Sequence, residues 1–564
     1  MESVEKVKDI LKKIYGEEIA SQAFERIMPV IEKYTAKKSK KTSYFSEEDV
    51  VLITYGDSLK KDGEAPLATL HEFANTYLKG AISNIHFLPF FPYSSDDGFS
   101  VMDFFEIDPE LGTWQEVAAI GQDFDLMFDY VVNHFSSKGQ WFQNYLAGKD
   151  GFIEFAMEVD PGTDLSMVTR PRSLPLLSAY NKEDGRTVHL WTTFSADQID
   201  FNFKSLDVLE KMIDVLLFYA DQGATILRLD AIAYLWKEIG TNCIHLTQTH
   251  AMVKLFRAVL DLVAPDVIIL TETNVPHDEN ISYFGDGRDE AQMIYNFTLP
   301  PLLFYSFAKE DATVLSNWAE GLELQSEHNT FFNFTASHDG IGVRPLEGIL
   351  DPEELEALIE IVNANDGQVS YKQNPDGSES PYELNITYVD AILADTSSIR
   401  AEKFLASQSI QYALPGVPAT YIHSLLGSRN WVEGVEQTGR ARTVNREKLQ
   451  IENLISELND PESFRSKVFF PYLNLIKTRK KQSAFHPKTG FEILQIDPKV
   501  FGIKRSSQNQ TIYALTNISS ETISLSLSEM VSTDQTIDLI SGETVNTAAF
   551  NLNPYQYMWL EEKG

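Results

Sequence analysis

The chain has 564 residues, 43% of them hydrophobic, enough for a large core and two or three structural units. Its 47 lysines and arginines stand against 82 acids, a net charge of −35. Such a field repels nucleic acid and anionic membrane surfaces, so neither is expected as a partner. The single cysteine, Cys243, excludes an internal disulfide. The first ten residues mix acids and lysines, and no run of eighteen apolar residues occurs, so the expected location is cytoplasmic.

Val4, Val7, Ile10, Leu11 and Ile14 recur at helical spacing and predict an amphipathic helical extension over residues 1–48. The basic run Lys37, Lys38, Lys40 and Lys41 inside it reads as a solvated surface. Short apolar strands then alternate with helices. Strands are predicted near 84–89, 126–129, 226–230, 267–272 and 330–339, with helices at 206–219 and 251–262. This alternation predicts an α/β fold, a closed (β/α)8 TIM barrel assembled from 49–134 and 200–487. Two polar insertions interrupt it: a B domain at 135–199 and a second insertion at 345–400. Both read as active-site walls. Residues 488–564 alternate with period two and predict a C-terminal antiparallel β domain.

The stretch Ile226-Leu-Arg-Leu-Asp230 places Arg228 and Asp230 two apart on a strand, hence on one face. Burying two charges there is costly unless they are paired or used. A second apolar strand ends in Glu272. Barrel enzymes work at the C-terminal ends of their strands, and those ends carry Asp96, Asp129, His134, Arg228, Asp230, Glu272, His338 and Asp339. Three carboxylates from different strands suit glycosyl transfer. A retaining mechanism needs a nucleophile and an acid/base about 5–5.5 Å apart. Arg228 is expected to keep Asp230 ionised. Glu272, with no basic neighbour in its own motif, is expected to be raised by burial and to act as the acid. Asp339 would steady the charge-deficient ring. His134 with Asp129 also suits a metal, but no HxxxH or paired cysteines accompany them, so no metal or organic cofactor is expected.

The strings Asp129-Tyr-Val-Val-Asn-His134, Leu227-Arg-Leu-Asp-Ala231, Thr271-Glu272 and Ser337-His-Asp339, in this order, resemble the four conserved regions of the α-amylase superfamily, glycoside hydrolase family 13. The resemblance extends over nearly the whole chain. It implies Asp230 as nucleophile, Glu272 as acid/base and Asp339 as transition-state stabiliser. His134, Arg228 and His338 would bind the donor glucose.

Four further segments resemble the sucrose phosphorylase branch. They are 87–99, Arg170-Pro-Arg172, Phe194-Ser-Ala-Asp-Gln-Ile-Asp200 and His338-Asp-Gly-Ile-Gly342. That likeness implies that Asp96 and Arg446 clamp the far edge of glucose. Phe99 and Phe194 would form an aromatic platform, and Gln198 would join them in binding the sugar. Tyr234, shortly after the nucleophile, reads equally as a wall of the acceptor site or as packing. Arg172 and Tyr382 would help bind inorganic phosphate, the co-substrate, and a guanidinium suits that anion by gripping it with two parallel bonds.

Segments 172–177, 235–245 and 380–385 are more similar to glucosylglycerate and glucosylglycerol phosphorylases. Glu383 stands where a sucrose enzyme is expected to carry Gln. Its carboxylate could accept bonds from two glycerol hydroxyls, and it would repel glycerate unless Arg344 or Arg172 compensates. The expected activity is retaining, reversible phosphorolysis of a small α-glucoside osmolyte, 2-O-α-glucosylglycerol or glucosylglycerate. Its products would be α-D-glucose 1-phosphate and free acceptor, formed through a β-glucosyl-enzyme. A sucrose phosphorylase or a small-oligosaccharide α-glucoside hydrolase is the alternative. The expected partners are the small glucoside and phosphate, with the chain acting as a monomer or homodimer.

Overall fold

The computed structural model describes residues 2–39, 43–374, 376–394 and 400–562. Lys40 and Lys41 of the basic run, and residues 375 and 395–399 of the second insertion, lie outside the described residues. Eight parallel strands close a barrel: β1 (Val51–Thr54), β2 (Asn84–Phe87), β3 (Asp125–Tyr130), β4 (Ala224–Leu229), β5 (Ile268–Thr271), β6 (Met293–Tyr295), β7 (Thr330–Phe334) and β8 (Val417–Tyr421). Consecutive strands pair around the ring, and β1 closes it by pairing with both β2 and β8. β1 and β5 are buried at every position, so they read as unbroken apolar runs rather than as alternation. The strand predicted at 226–230 ends at Leu229. Asp230 lies just beyond it, and Ala231 follows in a left-handed conformation with φ 50°.

The N-terminal helix α1 (Glu2–Glu32) bends at Gly16, where φ is 80° and ψ 166°. A positive φ of this kind favours glycine, which has no Cβ to clash. α1 lies across α2 (Leu206–Asp221) and α3 (Thr247–Val263). Val7, Leu11, Ala23 and Ile27 are fully buried. Each of the larger ones contributes about 1.5–3 kcal/mol by leaving water. Arg26 pairs with Asp207 and Glu210, and Lys33 with Asp214, so the extension is stitched to the barrel by charge as well as packing.

Within residues 135–199, a hairpin of Leu177–Asn181 and Thr187–Trp191 stands beside the barrel. Entry and exit of the insertion pair with each other, His134–Ser136 against Gln198–Asp200. Beneath that pair lies the buried ammonium of Lys237, 2.7 Å from Asp200 Oδ2 and 2.8 Å from Asn133 Oδ1. Between β7 and β8, a hairpin of Gln368–Gln373 and Glu379–Asn385 adds the short strand Ile341–Gly342. The tail forms a six-stranded antiparallel sheet starting at Gly490–Asp497, with its own core around Leu494, Val500, Leu515 and Leu560. Arg505 ties it to the barrel by donating to the carbonyls of Ala413 and His486. No described helix is long and apolar enough to cross a membrane.

Candidate active site

The register of β3 and β4 sets Asp129 opposite Arg228. The Arg228 guanidinium pairs with Asp129, and Asp129 also bonds His86 Nε2 at 2.7 Å. The same Arg228 Nη1 donates to Asp230 Oδ1 at 2.9 Å. The shared face predicted for Arg228 and Asp230 is therefore present. Arg228 is 2% exposed, and its guanidinium lies 5.6 Å from the Phe99 ring, beside the carboxylates it pairs with.

Asp230 does not stay in the ordinary carboxylate range. Burial pushes it up to about 7, outweighing the pull of Arg228, with Asp129 adding repulsion. Burial likewise pushes Glu272 up to about 7, opposed by Arg228 and reinforced by Asp230 and Asp339. Glu272 is also not without a basic neighbour. Arg228 Nη2 lies 3.8 Å from its Oε2, and the Ala231 N–H donates to that oxygen at 3.0 Å. Two such carboxyls titrate as a pair. The charge settles on Asp230, which has the direct 2.9 Å bond to the guanidinium, and the proton on Glu272. Burial raises Asp339 too, but Arg442, then His338 and Arg446, overcome it and hold this carboxyl well below the usual range.

Asp96, Phe99, His134, Phe194, Gln198, Tyr234 and His338 line one cavity with the three acids. The Phe99 ring stacks on His338 at 4.7 Å and 8°, and His134 Nε2 bonds the Phe99 carbonyl at 2.9 Å. Gln198 Nε2 lies 3.3 Å from His134 Nε2 and 3.4 Å from Asp96 Oδ2. Phe194 meets Tyr234 edge-on at 5.7 Å. Burial lowers both histidines, His338 the further, so both are neutral. The buried Nδ1 of His338 has no hydrogen-bond partner, and its Nε2 lies 3.3 Å from Asp339 Oδ1.

The two residues of the expected clamp lie side by side, with Asp97 as the nearer partner of the arginine. Arg446 Nη1 pairs with Asp97 Oδ2 at 2.5 Å and stays 3.9 Å from Asp96, while its Nε donates to the His338 carbonyl at 2.8 Å. Asp96 and Asp97 both have left-handed backbones, φ 55° and 47°. Asp96 lines the cavity, and its neighbour takes the arginine.

At the acceptor end, Arg172, Tyr382 and Glu383 line the cavity. The Arg172 guanidinium lies over the Tyr382 ring at 5.5 Å and 3.8 Å from Glu383. Glu383 lines the cavity at 2% exposure, and its carboxylate is already engaged by neighbouring groups. The Gly340 N–H donates to one oxygen, and Arg442 Nη2 and Nε reach the other at 3.0 and 3.2 Å. Arg344 Nε lies 3.6 Å from Glu347, and its charge acts on the cavity-lining Tyr234 and Tyr382. Arg442 itself was not anticipated. It lines the cavity and also lies 2.5 Å from Asp339 Oδ1. Its 3-10 turn, Ala441–Asn445, is pinned to the loop after β7 by Asn445 Nδ2 donating to the Ser337 carbonyl at 2.6 Å.

The α-amylase catalytic-domain model matches residues 76–342, and the maltogenic amylase C-terminal domain matches residues 491–559. A glucosylglycerate phosphorylase from Spirochaeta thermophila is 50% identical over 530 residues, covering 92% of this chain and 90% of that protein. A glucosylglycerate phosphorylase from Escherichia coli K12 is 43% identical over 563 residues, covering 99% and 100%. The crystal structure of sucrose 6F-phosphate phosphorylase from Thermoanaerobacter thermosaccharolyticum superposes with a TM-score of 0.75 at 24% identity, covering 90% of this chain and 98% of that one, a likeness of fold. A closed barrel with three carboxylates at its strand ends, carrying this C-terminal sheet, places the chain in the α-amylase superfamily, glycoside hydrolase family 13. Within that family it belongs with the glucoside phosphorylases and is a glucosyl-transferring enzyme.

Proposed function

We propose that the protein catalyses the reversible phosphorolysis of glucosylglycerate, with phosphate as co-substrate and no metal or organic cofactor in the steps. Asp230 attacks the anomeric carbon while Glu272 gives its proton to the departing glycerate oxygen, leaving a β-glucosyl ester on Asp230. Phosphate enters the vacated site, Glu272 takes back a proton, and the ester carbon passes to a phosphate oxygen, releasing α-glucose 1-phosphate. Asp339, kept ionised by Arg442, faces the developing positive charge of the ring.

The observation that carries glycerate over glycerol is the pairing of Glu383. A bare carboxylate at the acceptor end would repel both glycerate and phosphate. Here Arg442 and the Gly340 N–H engage it, and Arg172, which also lines the cavity, lies 3.8 Å away. The end that receives the leaving anion thereby suits the entering one. The names of the two relatives at 50% and 43% identity agree with this reading.

The test runs the reaction in the synthetic direction. α-Glucose 1-phosphate is offered with glycerate, glycerol or fructose, and phosphate release is measured. Glycerate is expected to give the highest kcat/KM. A clear preference for glycerol or fructose would overturn the acceptor assignment while leaving the donor chemistry intact.

A further inference from the structure

We propose that Asp197 is a positioning residue for the donor pocket, fastening the strand-2 loop to the inserted domain so that Asp96 is held in its sugar-facing conformation. One of its oxygens, Oδ2, accepts from Ser94 Oγ and Ser95 Oγ, each at 2.5 Å. The other, Oδ1, accepts from Ser137 Oγ at 2.6 Å. The hydroxyls are linked onward, Ser94 to Ser136 at 2.5 Å and Ser95 to Ser100 at 2.7 Å. One carboxylate thus gathers serines from two segments some forty residues apart.

What it fastens is a strained turn. Ser94 and Ser95 directly precede Asp96 and Asp97, both in the left-handed region with φ of 55° and 47°. Such conformations cost about 1–3 kcal/mol each and persist only where the surroundings impose them. Three restraints do so here. Arg446 holds Asp97 from one side. Gly98, with φ 110°, lets the chain approach so closely that a Cβ would stand 2.5 Å from the Pro89 carbonyl oxygen. Asp197 holds the entry to the turn. It also directly precedes Gln198, whose amide reaches Asp96 and His134. The same residue therefore sets the relative position of the two strips of chain that supply Asp96, Phe99 and Gln198 to the pocket. Burial raises the Asp197 carboxyl, but the Ser137, Ser94 and Ser95 bonds outweigh it and leave it below the ordinary range, as an anion holding three hydroxyls.

This inference concerns the donor side alone and does not depend on which acceptor takes the glucose. The experiment measures KM, kcat and calorimetric binding of α-glucose 1-phosphate for Asp197→Ala, Asp197→Asn, Ser137→Ala, the double variant Ser94→Ala/Ser95→Ala, and the triple variant with Asp197→Ala. Misplacement of a sugar-binding side chain by an ångström can cost about 100-fold. Asp197→Ala and the serine double variant are each expected to weaken donor binding and kcat/KM by about 10–100-fold, and the triple variant by no more than either. Asp197→Asn retains an oxygen for Ser94 and Ser95 and is expected to recover most of the loss. Ser137→Ala leaves those two bonds in place and is expected to bind the donor as the parent does. Additive losses, equal damage in the Asn and Ala variants, or unfolding of Asp197→Ala with unchanged donor binding in the serine double variant would overturn the proposal.

Discussion

The Arg442 guanidinium lies 2.5 Å from the Asp339 carboxylate, and its other amino group lies 3.0 Å from Glu383. One cation thus joins two carboxylates that line the same cavity. Removing one partner of a buried charge pair costs about 3–5 kcal/mol, because the other charge is left uncompensated.

Arg442→Gln is therefore expected to damage both ends of the cavity. Freed of Arg442, Glu383 repels anions, so the KM for glycerate and for phosphate should rise by about 10–100-fold, with a smaller change for glycerol. Asp339 loses the chief influence holding its pKa down, so the acidic limb of kcat/KM should move to higher pH. Steady-state kinetics with charged and neutral acceptors across pH measures both effects. Equal losses for glycerate and glycerol would count against a charge role.

The acid/base pair sets a second expectation. Glu272, pushed up to about 7 by burial, must be protonated to serve as the acid, while Asp230 must be ionised. A bell-shaped profile of kcat/KM is expected, with its alkaline limb near pH 7. Stability follows the same group. The folded state binds the Glu272 proton more tightly than the unfolded chain does. That contribution is full below the ordinary carboxyl range and is lost as pH rises through about 7. Glu272→Gln carries no such dependence. It should be inactive for glucosides with poor leaving groups and should gain about 3 kcal/mol over the parent as pH is raised from 4 to 8. Denaturant titrations at the two pH values measure the difference.

Lys237 makes a third. Its ammonium lies 2.7 Å from Asp200 and 2.8 Å from Asn133, at the base of the inserted domain, and it is 4% exposed. Lys237→Met leaves the Asp200 carboxylate buried without its cation and should destabilise the fold by about 3–5 kcal/mol. A melting temperature equal to that of the parent would show that the ammonium is not what anchors the insertion.

Much of this was legible in the sequence, and the physical reasons differ by residue. Barrel strands buried on both faces leave unbroken apolar runs, so β5 announces itself. Arg228 and Asp230 could be paired because two residues along a strand return to the same face. Arg442 could not be found this way. It lies in a loop without periodicity, 103 residues after Asp339 and 59 after Glu383, and Arg440 and Arg446 stand beside it with nothing to distinguish them. Asp97 was hidden for a similar reason. Only the left-handed turn decides which of two adjacent aspartates lines the cavity and which pairs with Arg446. The motif of Asp230 shows the cation that draws its pKa down but not the depth of burial that raises it.

The most direct measurement follows the glucose itself. Glucosylglycerate is incubated with the protein and inorganic phosphate, and the products are resolved by phosphorus and proton NMR. α-Glucose 1-phosphate is expected in equal amount to free glycerate, with no β anomer, and Asp230→Ala should abolish it. Free glucose as the main product, a β-linked phosphate, or turnover by Asp230→Ala near that of the parent would contradict retaining phosphorolysis through Asp230.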